Sequence, residues 1–159
     1  MKILVYGYGN PGRQDDGLGI NLAIRLEEWA IAEGLVNVAF DNNYQLNIED
    51  AEAIAQKDLV IFVDASEEDI DDFCLSRVDG KGKLSFTTHA ASPGYVVKLC
   101  QELFQKTPQV LLLHIKGYEW AFQEGLSARG GENLEKALEY MKLLIKNPET
   151  AAKFSAQMC

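Results

Sequence analysis

Ile3-Leu4-Val5-Tyr6-Gly7-Tyr8-Gly9-Asn10-Pro11-Gly12-Arg13-Gln14-Asp15-Asp16-Gly17-Leu18 joins an apolar run to a glycine-rich turn and then to two adjacent aspartates. The run from Lys2 to Tyr6 predicts a first strand. Gly7, Gly9 and Gly12 spell G-x-G-x-x-G, the spacing of a dinucleotide-binding turn. Such a turn must pass straight into a helix whose N-terminal amides hold a pyrophosphate. Here Asn10 to Gly17 is turn chemistry instead. Helical periodicity begins only around Leu18, with Leu22, Ala23, Leu26, Trp29 and Ala30 on one face. Asp15 and Asp16 at the helix entrance would occupy the positive end of its dipole and repel phosphate. The stretch reads as a strand–turn–helix that presents carboxylates, which disfavours a nucleotide site.

Outward from this unit, strands and helices alternate. Further strands are expected at Val36 to Phe40, Leu59 to Asp64 and Val110 to Lys116. A weaker pair falls around Cys74 to Val78 and Lys83 to Phe86, with the turn Asp79-Gly80-Lys81-Gly82 between. Helices are expected at Leu18 to Ala32, Ile48 to Ala55, Pro93 to Gln105 and Glu132 to Ile145. Ser92-Pro93 forms a good N-cap and first-turn pair. Cys100 falls on the apolar face of its helix and reads as core. The unbroken apolar runs at 59–63 and 110–113 are of the kind buried on both faces. The pattern predicts one three-layer α/β/α domain over residues 1–159 around a mostly parallel sheet. The tail 147–159 is left open between a short helix and a loose end.

The length of 159 residues suits one domain with a sizeable core. A net charge of -9 argues against nucleic acid or an anionic membrane as partner and suits a cationic ligand. The apolar runs are strand-sized, and the one at the start is too short for a signal peptide. Cys74, Cys100 and Cys159 show no paired spacing, which points to a reducing compartment, the cytoplasm, rather than a disulfide framework or zinc site. A monomer is expected, with no organic cofactor.

Ligands of open parallel sheets bind at the carboxyl ends of the strands. The loops there would hold Asp15, Asp16, Asp64, His89 and Trp120. Each has an ordinary explanation when read alone. Asp16 could cap the helix at Leu18, Asp64 could cap the next turn, His89 could be a solvated loop residue, and Trp120 could be packing. His114, within an apolar strand, reads as structural. Together, two carboxylates and one imidazole at one sheet edge make either a set of ligands for a divalent transition ion or an acid–base constellation. Asp15 competes with Asp16, because neighbouring residues point in different directions. No H-E-x-x-H, G-x-S-x-G or strand-end cysteine supports other hydrolase chemistries.

The segment Gly7 to Gly19 resembles the opening motif of the nickel-iron hydrogenase maturation endopeptidases. Further matches follow in order: Asp64 after its apolar strand, His89 in Thr-His-Ala-Ala-Ser-Pro, and Gly117-Tyr118-Glu119-Trp120 to Gly125-Leu126-Ser127. Asp41 to Ala51 is similar to one branch of that family, and the similarity spans roughly residues 1 to 145. The resemblance implies a five-stranded mixed sheet, with the Cys74 to Val78 region supplying an antiparallel strand. It implies removal of a C-terminal peptide from the nickel-loaded precursor of the [NiFe] hydrogenase large subunit, with the nickel supplied by that precursor. It carries the metal-contacting and catalytic roles over to Asp16, Asp64 and His89. Many members have glutamate where this chain has the shorter Asp16. Water attack would be assisted by the metal or by a carboxylate, and an aspartic dyad of Asp16 and Asp64 would need them within hydrogen-bonding distance. The competing class is a non-catalytic metal- or nucleotide-binding module on the same scaffold.

Overall fold

The computed structural model describes residues 1–80, 91–149 and 158–159. Five strands and four helices are placed in the order β1 (Ile3–Tyr8), α1 (Leu18–Ala32), β2 (Val38–Asn43), α2 (Asp50–Ala55), β3 (Leu59–Ser66), β4 (Phe73–Arg77), α3 (Pro93–Phe104), β5 (Gln109–Lys116) and α4 (Ala128–Lys146). A 3-10 turn at Gln14–Gly17 precedes α1. The sheet order is β2-β1-β3-β5-β4, parallel except for β4 against β5. This is the three-layer α/β/α architecture with a mixed five-stranded sheet. The strand expected at Lys83 to Phe86 lies outside the described residues.

Alternation along the strands builds two cores. Ile3, Val5, Ile61, Val63, Leu111 and Leu113 face α1 and α4. Leu4, Tyr6, Val60, Phe62 and Val110 face α2 and α3. Covering both faces removes any need for polar residues in β3, which accounts for its unbroken apolar run. From β1 the chain crosses through α1 to β2 on one side, then returns through α2 to β3 on the other. The carboxyl ends of β1 and β3 therefore form the topological switch point, the crevice where such sheets take ligands.

Some boundaries differ from the sequence expectation for local reasons. β2 starts later and ends later than Val36 to Phe40, because its parallel register with β1 continues to Tyr8 opposite Asn43. Val36 itself is 96% exposed. α4 begins four residues before Glu132, capped by the Ser127 hydroxyl, which accepts from the Gly130 amide at 3.0 Å.

The cysteine expectation is corrected. Cys74 and Cys159 form a disulfide, with Cα atoms 5.2 Å apart, and only Cys100 is free and buried. Met158 forms a parallel bridge with Leu75, and the Cys159 amide donates to the Leu75 carbonyl at 2.7 Å. A separation of 85 residues leaves no spacing signal, because the pairing depends on the chain end reaching the outer edge of β4. The cysteine argument for a reducing compartment therefore fails, and Met158 and Cys159 at the chain end are fixed. No helix among the described residues is long and apolar enough to cross a membrane. Alkylation of the unreduced, denatured protein is expected to label one cysteine, rising to three after reduction. Labelling of all three without reduction would contradict the pairing. Loss of the disulfide through Cys159→Ser is expected to cost about 2–4 kcal/mol in chemical denaturation.

Candidate active site at the β1–β3 switch point

The turn after β1 is shaped by close backbone approach. Gly9 has φ +134°, and a Cβ there would stand 2.1 Å from the Asp16 carbonyl oxygen. The Asn10 side chain accepts from the Gly12 amide at 2.9 Å, an Asx-type closure of the turn. These contacts bring the 3-10 turn, and with it both aspartates, against the strand ends. The glycines thus serve the folding of the loop onto itself.

The two aspartates have separate surroundings. Asp15 is fully buried, and its carboxylate accepts four hydrogen bonds. The donors are the Tyr118 amide (2.7 Å), the Glu119 amide (3.1 Å), the Ser127 amide (2.8 Å) and the Ser127 hydroxyl (2.6 Å). Burial pushes the Asp15 carboxyl up, but the Ser127 hydroxyl and the three amides outweigh it and hold it below the usual range. Gly130 is required beside it, since a Cβ there would come within 2.8–2.9 Å of this carboxylate. Gln14 adds to the clamp, donating its amide to the Gln123 carbonyl (2.9 Å) and accepting from the Ala121 amide (2.9 Å). The segment 117–127 is thereby fastened to the opening loop.

Asp16 is turned the other way. Its Oδ2 accepts from the Asn10 amide at 2.9 Å, and it does not cap α1, whose N-cap is Gly17 without a side-chain bond. Its charge acts instead on Asp64, near the end of β3. Burial first, and then the Asp16 charge, push the Asp64 carboxyl up to about 7, against the opposing pull of the Ala65 amide and the Tyr8 hydroxyl. Tyr8, the last residue of β1, is itself pushed up by burial and by Asp64. The fold thus brings Asp16 and Asp64 together at the switch point. His89 lies outside the described residues, and no set of three His, Cys, Asp or Glu suited to a metal occurs among those described.

His114 faces the same side of the sheet, opposite Asp64 in register, but its Nε2 is engaged by the Ser76 hydroxyl at 2.8 Å. Burial lowers its pKa against the pull of the Glu68 charge, which favours the neutral imidazole expected of a structural histidine. Trp120 packs its ring edge over Gly117 and carries the Arg13 guanidinium 5.7 Å from its centroid. Sequence reasoning missed Tyr8 and Ser127. The one signal for Tyr8 is its place between two glycines at a strand end, and for Ser127 its position before a helical period.

No family model matches the sequence, and no curated protein matches it. Solved structures do. A [NiFe] hydrogenase maturation protease, HycI from Thermococcus kodakarensis KOD1, superposes with a TM-score of 0.70 at 26% identity, covering 92% of this chain and 93% of its own. The family likeness is to the [NiFe] hydrogenase maturation proteases. The hydrogenase maturating endopeptidase HybD from E. coli shares the fold, with a TM-score of 0.71 at 20% identity over 95% of this chain and 94% of its own. This maturation-protease fold therefore extends over nearly the whole chain.

Asp15 and Asp64 should titrate with opposite effects on stability. Asp15 has a lowered pKa, so its contribution is present at neutral pH and disappears as pH falls through the folded value. Asn in its place offers one acceptor oxygen where four donors converge, so Asp15→Asn should cost roughly 3 kcal/mol at pH 7 in urea denaturation. Asp64 has a raised pKa, so wild-type stability should decline as pH rises from the ordinary carboxylate range to about 7. Asp64→Asn should be more stable than wild type at pH 8, with the difference vanishing at acid pH. An Asp64→Asn protein less stable at pH 8 would contradict the site electrostatics.

Proposed function

We propose that this protein is an endopeptidase that removes the C-terminal extension from the nickel-loaded precursor of the [NiFe] hydrogenase large subunit. The substrate's nickel is its recognition element, held by Asp16, Asp64 and His89. The observation that carries this reading is the placement of Asp16 beside the buried Asp64 at the switch point, where burial and then the Asp16 charge push Asp64 up to about 7. Two carboxylates held in this way gain from an arriving cation, which relieves both the repulsion and the burial penalty. The likeness to structures named as maturation proteases supplies the reaction class.

The chemistry is consistent with nickel as cargo rather than as a resident ion. Carboxylate oxygens and an imidazole nitrogen suit a divalent transition ion, but three ligands leave its coordination incomplete. Such a site favours an ion already held by the precursor, so that recognition of the metal and orientation of the scissile bond are one event. Two routes activate water here: polarisation by the substrate's metal, and proton transfer to Asp64, whose pKa near 7 suits a general base.

Three alanine variants test the assignment. Asp16→Ala, Asp64→Ala and His89→Ala should each reduce trimming of the nickel-loaded precursor at least a hundredfold, on the scale of losing a general base or a metal contact. Normal trimming by the Asp64 or His89 variant would sink the assignment. Wild-type trimming should rise with pH through about 7, as Asp64 loses its proton. Efficient cleavage of nickel-free precursor would remove the recognition role.

A further inference from the structure

We infer that Arg13, within cation–π reach of both Trp120 and Phe122, is a docking point for a carboxylate of the precursor polypeptide. This rests on the proposed function and adds to it a contact outside the Asp16–Asp64 pair. The Arg13 guanidinium lies 5.7 Å from the Trp120 centroid and 5.9 Å from that of Phe122. Phe122 is 85% exposed, an unusual position for a phenylalanine unless it meets a partner.

The carboxylates nearest Arg13 in sequence are engaged elsewhere. The chain has 24 acidic against 15 basic residues, so carboxylate partners are plentiful. Asp15 and Asp16 are its near neighbours in sequence. Yet Asp15 is consumed by the Tyr118, Glu119 and Ser127 donors, and Asp16 turns to the Asn10 amide and Asp64. Among the described residues no carboxylate forms an ion pair with Arg13. Cation–π attraction to the two rings uses none of the guanidinium N–H donors, which leaves them available for bidentate carboxylate recognition.

The position links this contact to the cleavage site. The Asp16 amide donates to the Arg13 carbonyl at 3.1 Å, so the backbones of the two residues are tied into one turn. Trp120 is fixed by the segment that Asp15 clamps to the same turn. A precursor whose nickel reaches Asp16 would therefore pass its neighbouring chain over the Arg13–Phe122 ledge. On a protein of charge -9, an uncompensated cation there selects a segment bearing a carboxylate next to an apolar side chain.

Steady-state trimming of nickel-loaded precursor by wild type, Arg13→Lys, Arg13→Glu and Phe122→Ala tests the inference. Arg13→Glu should raise KM about tenfold, more at low salt than at high salt, with kcat within about twofold. Arg13→Lys and Phe122→Ala should raise it about threefold. Two altered precursors identify the carboxylate. If it is the chain terminus, lengthening the extension by two glycines should raise wild-type KM to the Arg13→Glu level. If it is a side chain, changing the acidic residues of the extension to amides should do so instead. An unchanged KM for Arg13→Glu, or a rise independent of salt, would overturn the docking role and leave the peptidase reading intact. Calorimetric binding of uncleaved precursor separates the two further. A wild type that binds but does not trim, with binding weakened in Arg13→Glu, keeps the contact while the peptidase reading falls. Equal binding by both proteins, or none by either, overturns the contact.

Discussion

The buried carboxylate of Asp15 is the constraint on which the candidate site depends. An ionised group without exposure is tolerated only when its lone pairs are satisfied, and here four donors converge on it. All four come from residues more than a hundred positions later in the chain. Their convergence fixes the loop after β5 against the loop after β1 and requires glycine at position 130. It also orients the neighbouring residue. With Asp15 anchored inward, Asp16 is delivered to the opposite side, towards the end of β3.

Asp16 and Asp64 stand in contrast to this satisfied anion. Their proximity raises the energy of the ionised site, and the rest of the fold holds them there regardless. Packing from two cores, on the two sheet faces, supplies the stabilisation that makes such a local penalty affordable. Unfavourable local electrostatics at a topological switch point is a recurrent mark of a functional site. Tyr8 and the Ala65 amide moderate the repulsion without removing it.

Much of the architecture was legible because it follows from burial. β1, β3 and β5 are apolar on both faces, and α1 and α3 carry periodic apolar stripes, α3 with a clear start at Ser92-Pro93. Where local sequence conflicts with tertiary demand, legibility ends. Ala128-Arg129-Gly130-Gly131 looks like a loop but forms the first turn of α4, because Gly130 answers to Asp15 rather than to helix propensity. The extent of β2 was set by its partner strand, and the Cys74–Cys159 disulfide by the path of the chain end. Asp64 could be singled out from its place at a strand tip. The choice between Asp15 and Asp16 could not be made, since it depends on donors contributed by the distant 118–127 segment.

The central claim is that burial and the neighbouring Asp16 charge together hold the Asp64 carboxyl well above its ordinary range at the switch point. A carbon-detected NMR titration of the Asp64 carboxyl tests it directly, in the wild type and in Asp16→Asn. The account predicts a midpoint near 7 in the wild type and a distinctly lower one once the Asp16 charge is removed. A wild-type midpoint near the ordinary value of 3.8, or one unmoved by Asp16→Asn, would contradict it.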